Sequence, residues 1–156
     1  MSACESCPPG SYTSHSTKRD ECLLCESGKF QTEPNATACD ECITGGFCPE
    51  GASAAQLCAA GSFSNVTGLS DAQECEACPI GHECSAGSIS PTACTPGTFA
   101  DRTRQPKCTS CAAGTFQMMR NATVCEPCEA GTYCPPGASA ALPCHEGTYS
   151  NATNLT

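Results

Sequence analysis

The chain has 156 residues, of which 18 are cysteines, no tryptophan, and a formal net charge of −9. So high a cysteine content is typical of a disulfide scaffold, and the few large apolar side chains exclude a domain that depends on one conventional core. The acidic balance disfavours nucleic acid and anionic lipid as partners, and no apolar run approaches the roughly 20 residues that span a membrane.

The intervals between successive cysteines repeat along the chain. Spacings of 14, 3, 6 and 10 residues run from Cys25 to Cys58 and again from Cys111 to Cys144. Residues 22–70 align with 108–156 without a gap and agree at 24 of 49 positions, which defines a super-repeat of 86 residues. An internal repeat of this kind indicates an array of small units. We predict cysteine-rich modules over residues 4–24, 25–41, 42–77, 78–110, 111–127 and 128–156.

One motif recurs along the chain. Cys-x-x-Gly-x-[Phe/Tyr] begins at Cys7, Cys25, Cys58, Cys94, Cys111 and Cys144, and a shorter variant, Cys-x-x-Gly-x-x-Cys, begins at Cys42, Cys78 and Cys128. A glycine can adopt positive φ and turn the chain tightly after the cysteine. The aromatic ring two residues later is then expected to lie against a disulfide or a neighbouring unit. Gly81-His82-Glu83 departs from the motif, so the motif does not predict how that unit packs. All eight aromatic residues occupy the motif: Tyr12, Phe30, Phe47, Phe63, Phe99, Phe116, Tyr133 and Tyr149.

These patterns predict a fold class of small disulfide-rich repeats. We expect an elongated rod of tandem Cys-rich modules with short β-hairpins and little regular secondary structure, in which each unit leans on its neighbours. Proline, glycine and small polar residues interrupt every helical period. Residues 52–55 and 138–141 are candidates for one helical turn each.

The cysteines are expected to form disulfides that close each loop locally. An interleaved arrangement, such as Cys39–Cys48 with Cys42–Cys58, is the alternative, because spacing alone does not fix connectivity. Zinc-ribbon spacing also occurs, but successive ribbons would have to share their Cys-x-x-Cys pairs, and so heavy a cysteine usage favours an oxidising compartment. The local model pairs Cys7 with Cys22, Cys25 with Cys39, Cys42 with Cys48, Cys58 with Cys75, Cys78 with Cys84, Cys94 with Cys108, Cys111 with Cys125, and Cys128 with Cys134.

The local model leaves Cys4 and Cys144 without partners. We expect both to pair outside this segment, Cys4 upstream and Cys144 beyond Thr156. A secreted chain requires a signal peptide, and none precedes Cys4. We therefore expect that the sequence is a piece of a longer chain.

Five asparagines begin an Asn-x-Thr sequon: Asn35, Asn65, Asn121, Asn151 and Asn154. One sequon arises easily by chance, but five in a cysteine-rich chain indicate the secretory route and predict covalent N-glycans. Asn35 and Asn121 are 86 residues apart, as are Asn65 and Asn151, so the repeat places sugars at equivalent loops. The simpler interpretation is that the sequons were duplicated together with the unit.

Catalytic, cofactor and metal sites are not expected. His15, His82 and His145 lie in polar loops without a nucleophile at motif spacing, so we do not expect an enzyme. Acidic clusters at Asp40-Glu41 and at Asp71 with Glu74 could bind calcium, but no recognised ligand spacing is present. We prefer the interpretation that these clusters, together with Asp20-Glu21, are solvated loop residues without a bound ion.

Three stretches, "CPPGSY…CLLC", "CAAGTF…CEPC" and "CEAGTYCPPGASAALPCHEGTYSNAT", carry a resemblance. The chain resembles the ephrin-receptor-like cysteine-rich repeats over nearly its whole length and is more distantly similar to tumour necrosis factor receptor modules. The resemblance implies an extended extracellular rod of small disulfide units. Such arrays are common in surface proteins of unicellular eukaryotes, including proteins of flagellar hairs, and the family brings no catalytic residues.

Two functions follow as hypotheses. The first is an extracellular or cell-surface structural protein that forms a rod, fibril or filament, with itself or other fibril and surface glycoproteins as partners. The second is the stalk or ligand-binding module of a receptor ectodomain. A receptor should show an irregular unit with an exposed aromatic or arginine cluster, and the aromatics all occupy structural positions.

Overall fold

The structure, a computed structural model, describes residues 5–14 and 21–156. Across this part of the chain the backbone forms eight two-stranded sheets and one 3₁₀ helix, Ala72–Glu74. The strands are β1 Ser11–Tyr12, β2 Leu23–Leu24, β3 Lys29–Phe30, β4 Asp40–Glu41, β5 Gly46–Phe47, β6 Gln56–Leu57, β7 Ser62–Phe63, β8 Glu76–Ala77, β9 His82–Glu83, β10 Thr92–Ala93, β11 Thr98–Phe99, β12 Thr109–Ser110, β13 Thr115–Phe116, β14 Glu126–Pro127, β15 Thr132–Tyr133 and β16 Leu142–Pro143. The prediction of small disulfide-rich modules with short hairpins is confirmed.

Each sheet is a hairpin of two consecutive strands. In β3 and β4, for example, Lys29 lies opposite Glu41 and Phe30 opposite Asp40 in antiparallel register. Strands of two residues bury little surface and are not stable alone. A disulfide therefore has to fix the ends of the loop between them, as Cys25–Cys39 does here.

The chain divides into two compact units. The first comprises residues 1–76 and 86–90, and the second comprises residues 77–85 and 91–156. The predicted modules 42–77 and 78–110 contain two hairpins each. The elongated arrangement of modules and their exact boundaries stay predictions.

The described residues contain eight disulfides, and all of them close loops locally. Cys39 is bonded to Cys25 and Cys42 to Cys48, so the interleaved alternative is wrong for these residues. Cys144 is unpaired and half-buried, whereas Cys4 lies outside the described residues. The pairs are Cys7–Cys22, Cys25–Cys39, Cys42–Cys48, Cys58–Cys75, Cys78–Cys84, Cys94–Cys108, Cys111–Cys125 and Cys128–Cys134.

The interior of each unit is made mainly of cystine. In the first unit the half-buried ring of Phe47 packs against the buried Cys58–Cys75 pair and Leu69. In the second unit Phe116 packs against Cys128, Cys134 and Ala138. At these two positions the motif aromatic therefore lies against the disulfide of the following turn, as the sequence predicts, whereas the motif residue Tyr149 is 91% exposed. A loop of about 15 residues closed by a disulfide removes about 3 kcal/mol of unfolded-state entropy, which compensates for so small an apolar core.

The motif glycine serves two purposes in the turn. Gly97 has φ 84°, a value that L-residues rarely adopt. A Cβ atom on Gly97 would also overlap the carbonyl oxygen of Gly137 in a later turn, and a Cβ on Gly81 would overlap that of Asn121. The glycine is thus required both by its own backbone and by the close approach of another turn.

Backbone hydrogen bonds connect the hairpins to the turns that follow them, and several hairpins make a set of three. In the second unit the Gly97 N–H donates to the Gln117 carbonyl at 2.7 Å and the Ala100 N–H to the Ala122 carbonyl at 3.0 Å. The Asn121 N–H returns a bond to the Cys94 carbonyl at 3.1 Å. The first unit repeats the set at Gly28, Gln31 and Gly51, whose N–H groups donate to Cys48, Ala52 and Cys25.

Two local features differ from the sequence analysis. The predicted helical turns are wrong, because Ala52 and Ala138 form parallel β-bridges with Phe30 and Phe116 instead. The irregular Gly81-His82-Glu83 unit forms an ordinary hairpin with Thr92 and Ala93 opposite it. The Glu83 carboxylate accepts a hydrogen bond from the Cys108 N–H at 2.7 Å, so a polar contact stands where other units have a ring.

We predict that Gly97→Ala loosens its turn more than Gly131→Ala does. Both glycines have positive φ, near 82–84°, but nothing lies within 4 Å of a Cβ at Gly131. Both variants incur about 1–2 kcal/mol of backbone strain, and overlap with Gly137 adds about 1–3 kcal/mol at Gly97 alone. Amide hydrogen exchange at Gly137, whose N–H donates to Cys111, should accelerate about tenfold or more in Gly97→Ala. Equal protection in both variants would contradict the packing role.

Candidate glycosylation sites

All five sequon asparagines are exposed, and so is the threonine two residues after each one. Exposure of both side chains is what an N-glycan requires of a folded loop. Whether these asparagines carry sugar stays a prediction. Their backbone environments separate them into two classes.

Asn35, Asn121 and Asn154 share a left-handed backbone conformation, with φ between 58° and 60°. Each donates its N–H to the carbonyl of a motif cysteine in the preceding turn: Asn35 to Cys7, Asn121 to Cys94, and Asn154 to Cys128. Other turns place a glycine in this position, as Gly51 does with its N–H on Cys25. Asparagine is among the few non-glycine residues that adopt this conformation readily. The fold therefore has its own reason for asparagine here, separate from any glycan.

A glutamine braces the loop around each of two such sequons. Gln117 accepts the Met119 N–H at 2.8 Å and donates its side-chain N–H to the Val124 carbonyl at 2.7 Å. Gln31 makes the corresponding bonds to Glu33 and Ala38 in the first unit. The sequence analysis missed these glutamines, although their 86-residue separation was a signal for them. The brace holds the loop ends and leaves the asparagine side chain in solvent.

Asn65 and Asn151 form the second class. Each directly follows a serine whose hydroxyl oxygen accepts a backbone N–H from two residues further along. The Val66 N–H donates to the Ser64 hydroxyl at 3.3 Å, and the Ala152 N–H donates to the Ser150 hydroxyl at 3.1 Å. Such short serine turns present the intervening residue outward. The 86-residue pairing seen in the sequence thus corresponds to equivalent turn chemistry.

The other residues singled out from the sequence have local roles. Asp71 accepts the Gln73 N–H at 2.8 Å and caps the 3₁₀ helix, while Glu74 accepts the Ser70 hydroxyl at 2.6 Å. The His82 Nδ1 lies 3.0 Å from the Ile80 carbonyl, and His145 is exposed. His15 and Asp20 lie outside the described residues. Over residues 5–14 and 21–156, no three His, Cys, Asp or Glu side chains form a group that could hold a metal ion.

A basic loop is the one surface feature that the sequence analysis overlooked. Arg102, Arg104 and Lys107 are exposed within six residues, and they line a cavity of about 350 Å³ with Thr109. Arg104 adopts the left-handed conformation, φ 60°, in the position that Asn121 fills in the next turn. The signal for this loop was present in the sequence, because residues 102–125 contain no acidic residue.

The chain matches no family model and no curated protein. Within the described residues, no helix combines the length and apolar character needed to cross a membrane.

We predict that Asn121→Gln is less stable than Thr123→Ala, although both remove the sequon. Glutamine lacks the short side chain that makes φ 58° tolerable, which costs about 1 kcal/mol, whereas Thr123→Ala leaves the backbone position unchanged. Asn121→Gly serves as the matched control, because glycine fills this position in other turns. Amide exchange at Ala100, bonded to Ala122, reports the difference. If the Ala100 amide exchanges as slowly in Asn121→Gln as in both other variants, a backbone role for Asn121 is excluded.

Proposed function

We propose that this chain is part of an extracellular, N-glycosylated structural repeat protein that forms a rod, fibril or filament. The observation that carries the proposal is the recurring bond set between turns. Gly28 and Gly97, in different units, each donate to the first strand region of the following hairpin, at Cys48 and Gln117. Hydrogen bonds from one turn to the next, repeated along the chain, are typical of linear arrays.

The eight described disulfides support an oxidising, extracellular compartment for this chain. So many local disulfides form and persist in oxidising surroundings, which favours a secreted or extracellular protein. Placement at the cell surface is our further proposal. It is supported by the resemblance of "CPPGSY…CLLC" and the later stretches to ephrin-receptor-like repeats, a family to which we propose that the chain belongs.

The glycans would have a mechanical role in this proposal. Two-residue strands leave many backbone edges open, and open edges favour indiscriminate pairing. The loop around Asn121 is also apolar, since Met118, Met119 and Val124 are 59%, 66% and 63% exposed. A sugar at Asn121 would cover these side chains and leave the sequon-free faces for ordered contacts.

The basic loop keeps the receptor alternative open. A compact arginine cluster on one irregular turn is the feature expected of a binding module, and Arg102, Arg104 and Lys107 supply it. A stalk or ligand-binding module of a receptor ectodomain would use this loop for a foreign ligand. The structural hypothesis is preferred because the rest of the chain repeats without another exposed cationic cluster among its described residues.

We predict that electron microscopy of the protein from its native source shows filaments or rods built of regularly spaced units. The expectation follows from turns that add one upon another. Addition of reductant should dissolve these filaments, because the loops are held by disulfides. Isolated single particles under non-reducing conditions would favour the receptor alternative.

We also predict that Asn35, Asn65, Asn121 and Asn151 carry N-linked sugar in native material. Asn154 should be occupied less, because Asn151 lies three residues away and two sugars would crowd each other. Glycopeptide mass spectrometry before and after enzymatic release of the sugars measures occupancy. Unmodified Asn35 and Asn121 would contradict the coated-filament model.

A further inference from the structure

The described charges are segregated along the chain. Residues 30–76, in the first unit, contain no lysine or arginine and seven acidic residues. All seven are exposed: Glu33, Asp40, Glu41, Glu50, Asp71, Glu74 and Glu76. Residues 102–125, in the second unit, contain four basic residues and no acidic one. Within its described residues, a chain with net charge −9 therefore carries a locally cationic surface.

The cationic side chains of the basic loop, residues 102–107, have almost no partners of their own. The described ion pairs are Lys29 with Glu26 and Arg102 with its neighbour Asp101, at 3.4 Å, with 83% of the Arg102 side chain exposed. Arg104 and Lys107 pair with no described acidic residue. Unpaired, exposed cations on a strongly acidic protein attract an anionic partner by charge complementarity.

Hydrogen bonds fix the backbone from which these cationic side chains extend. The Arg104 N–H donates to the Cys78 carbonyl at 2.8 Å. The Gln105 side chain donates to the Thr109 hydroxyl at 2.9 Å and to the Lys107 carbonyl at 3.2 Å. A glutamine thus contacts this loop too, but it differs from those in the sequon loops, since it follows the left-handed residue and its buried side-chain oxygen has no hydrogen-bond partner in the described structure. Arginine stands where the sequon loops carry asparagine.

No sequon lies in this loop, because residues 94–111 contain no asparagine. The next loop along the chain, around Asn121, carries one. Sugar on the equivalent loops would leave the basic loop uncovered. An uncovered cationic loop in a coated array is suited to specific contact.

We propose that the basic loop binds the acidic side chains of residues 40–50 and 71–76 in a second copy of this chain, forming the contact through which copies associate. These two stretches contain no sequon. The second copy is preferred over a foreign polyanion because the chain itself carries six exposed acidic residues in these stretches. This inference rests on the proposed structural function and names the contact that function requires.

The test uses charge reversal in protein secreted with its disulfides formed. One variant carries Arg102→Glu, Arg104→Asp and Lys107→Glu, with aspartate chosen because it tolerates the left-handed backbone. The other carries Asp40→Lys, Glu50→Lys and Glu76→Lys, which are exposed and make no described side-chain hydrogen bond or ion pair. Their net charges are −9 − 6 = −15 and −9 + 6 = −3, so the two variants repel each other unless a local contact forms.

We expect wild-type protein to associate at low salt and to dissociate as salt is added, measured by sedimentation velocity. Association should weaken about tenfold or more between about 10 mM and about 150 mM NaCl, since the Debye length falls from about 30 Å to about 8 Å. Each reversed variant alone should sediment as a monomer, and an equimolar mixture should associate again. Lys29→Glu is the single-charge control for Lys107→Glu, and only the latter should weaken association.

Wild-type protein that stays monomeric at low salt would overturn the proposal, whether or not the variants fold. A mixture that remains monomeric, or a basic-loop variant that associates as wild type does, would also overturn it. Heparin binding by monomeric wild-type protein would assign the loop to a foreign polyanion. Filaments in native images together with any of these results would overturn this contact alone, whereas single particles in those images would overturn the proposed function.

Discussion

The close approach of one turn to the motif glycine of an earlier one is the contact on which the described structure depends. The carbonyl oxygen of Gly137 lies so near Gly97 that a Cβ on Gly97 would overlap it, and the carbonyl oxygen of Asn121 lies equally near Gly81. Because the chain has almost no apolar core, backbone must meet backbone, and the hydrogen bonds between turns require this proximity. Ring packing on cystine, as Phe116 does on Cys128 and Cys134, fills the space that remains.

The same contact links the fold to the candidate glycosylation sites. The residue that meets the motif glycine must have a left-handed backbone, which glycine or asparagine supplies best. Where the chain uses asparagine, as at Asn121 and Asn154, a threonine two residues later turns a structural position into a sequon. Arg104 has the same left-handed backbone and donates its N–H to the motif cysteine Cys78, and it presents a cation instead. One backbone position therefore carries a neutral turn, a glycan acceptor or a charge, depending on the residue that occupies it.

In this arrangement the residues that hold the fold together are distinct from the residues on the surface, to a greater degree than in a protein with a conventional core. Disulfides and turn backbone fix each loop, so the outward side chains are free to vary in charge and apolar character. Thr32 and Glu33 in the first unit correspond to Met118 and Met119 in the second, within loops that share the same glutamine brace. Such freedom suits a repeat protein whose units perform different surface tasks on one framework.

The sequence by itself predicted short hairpins beside the glycine turns and preferred a local disulfide pattern. Spacing left the interleaved pattern open, and the structure decided for local pairs separated by 6 to 17 residues. Only the tertiary structure revealed that Asn35 and Asn121 share a position with Gly51, since the intervals that precede them differ and the equivalence lies in bonds to an earlier turn. It also replaced the expected helical turns at Ala52 and Ala138 with bridges to Phe30 and Phe116, because pairing with a neighbouring turn prevailed over local alanine content. The basic residues of segment 102–107 were present in the sequence, but the exposure of their side chains and the absence of a described acidic partner for Arg104 and Lys107 were evident only from the tertiary structure.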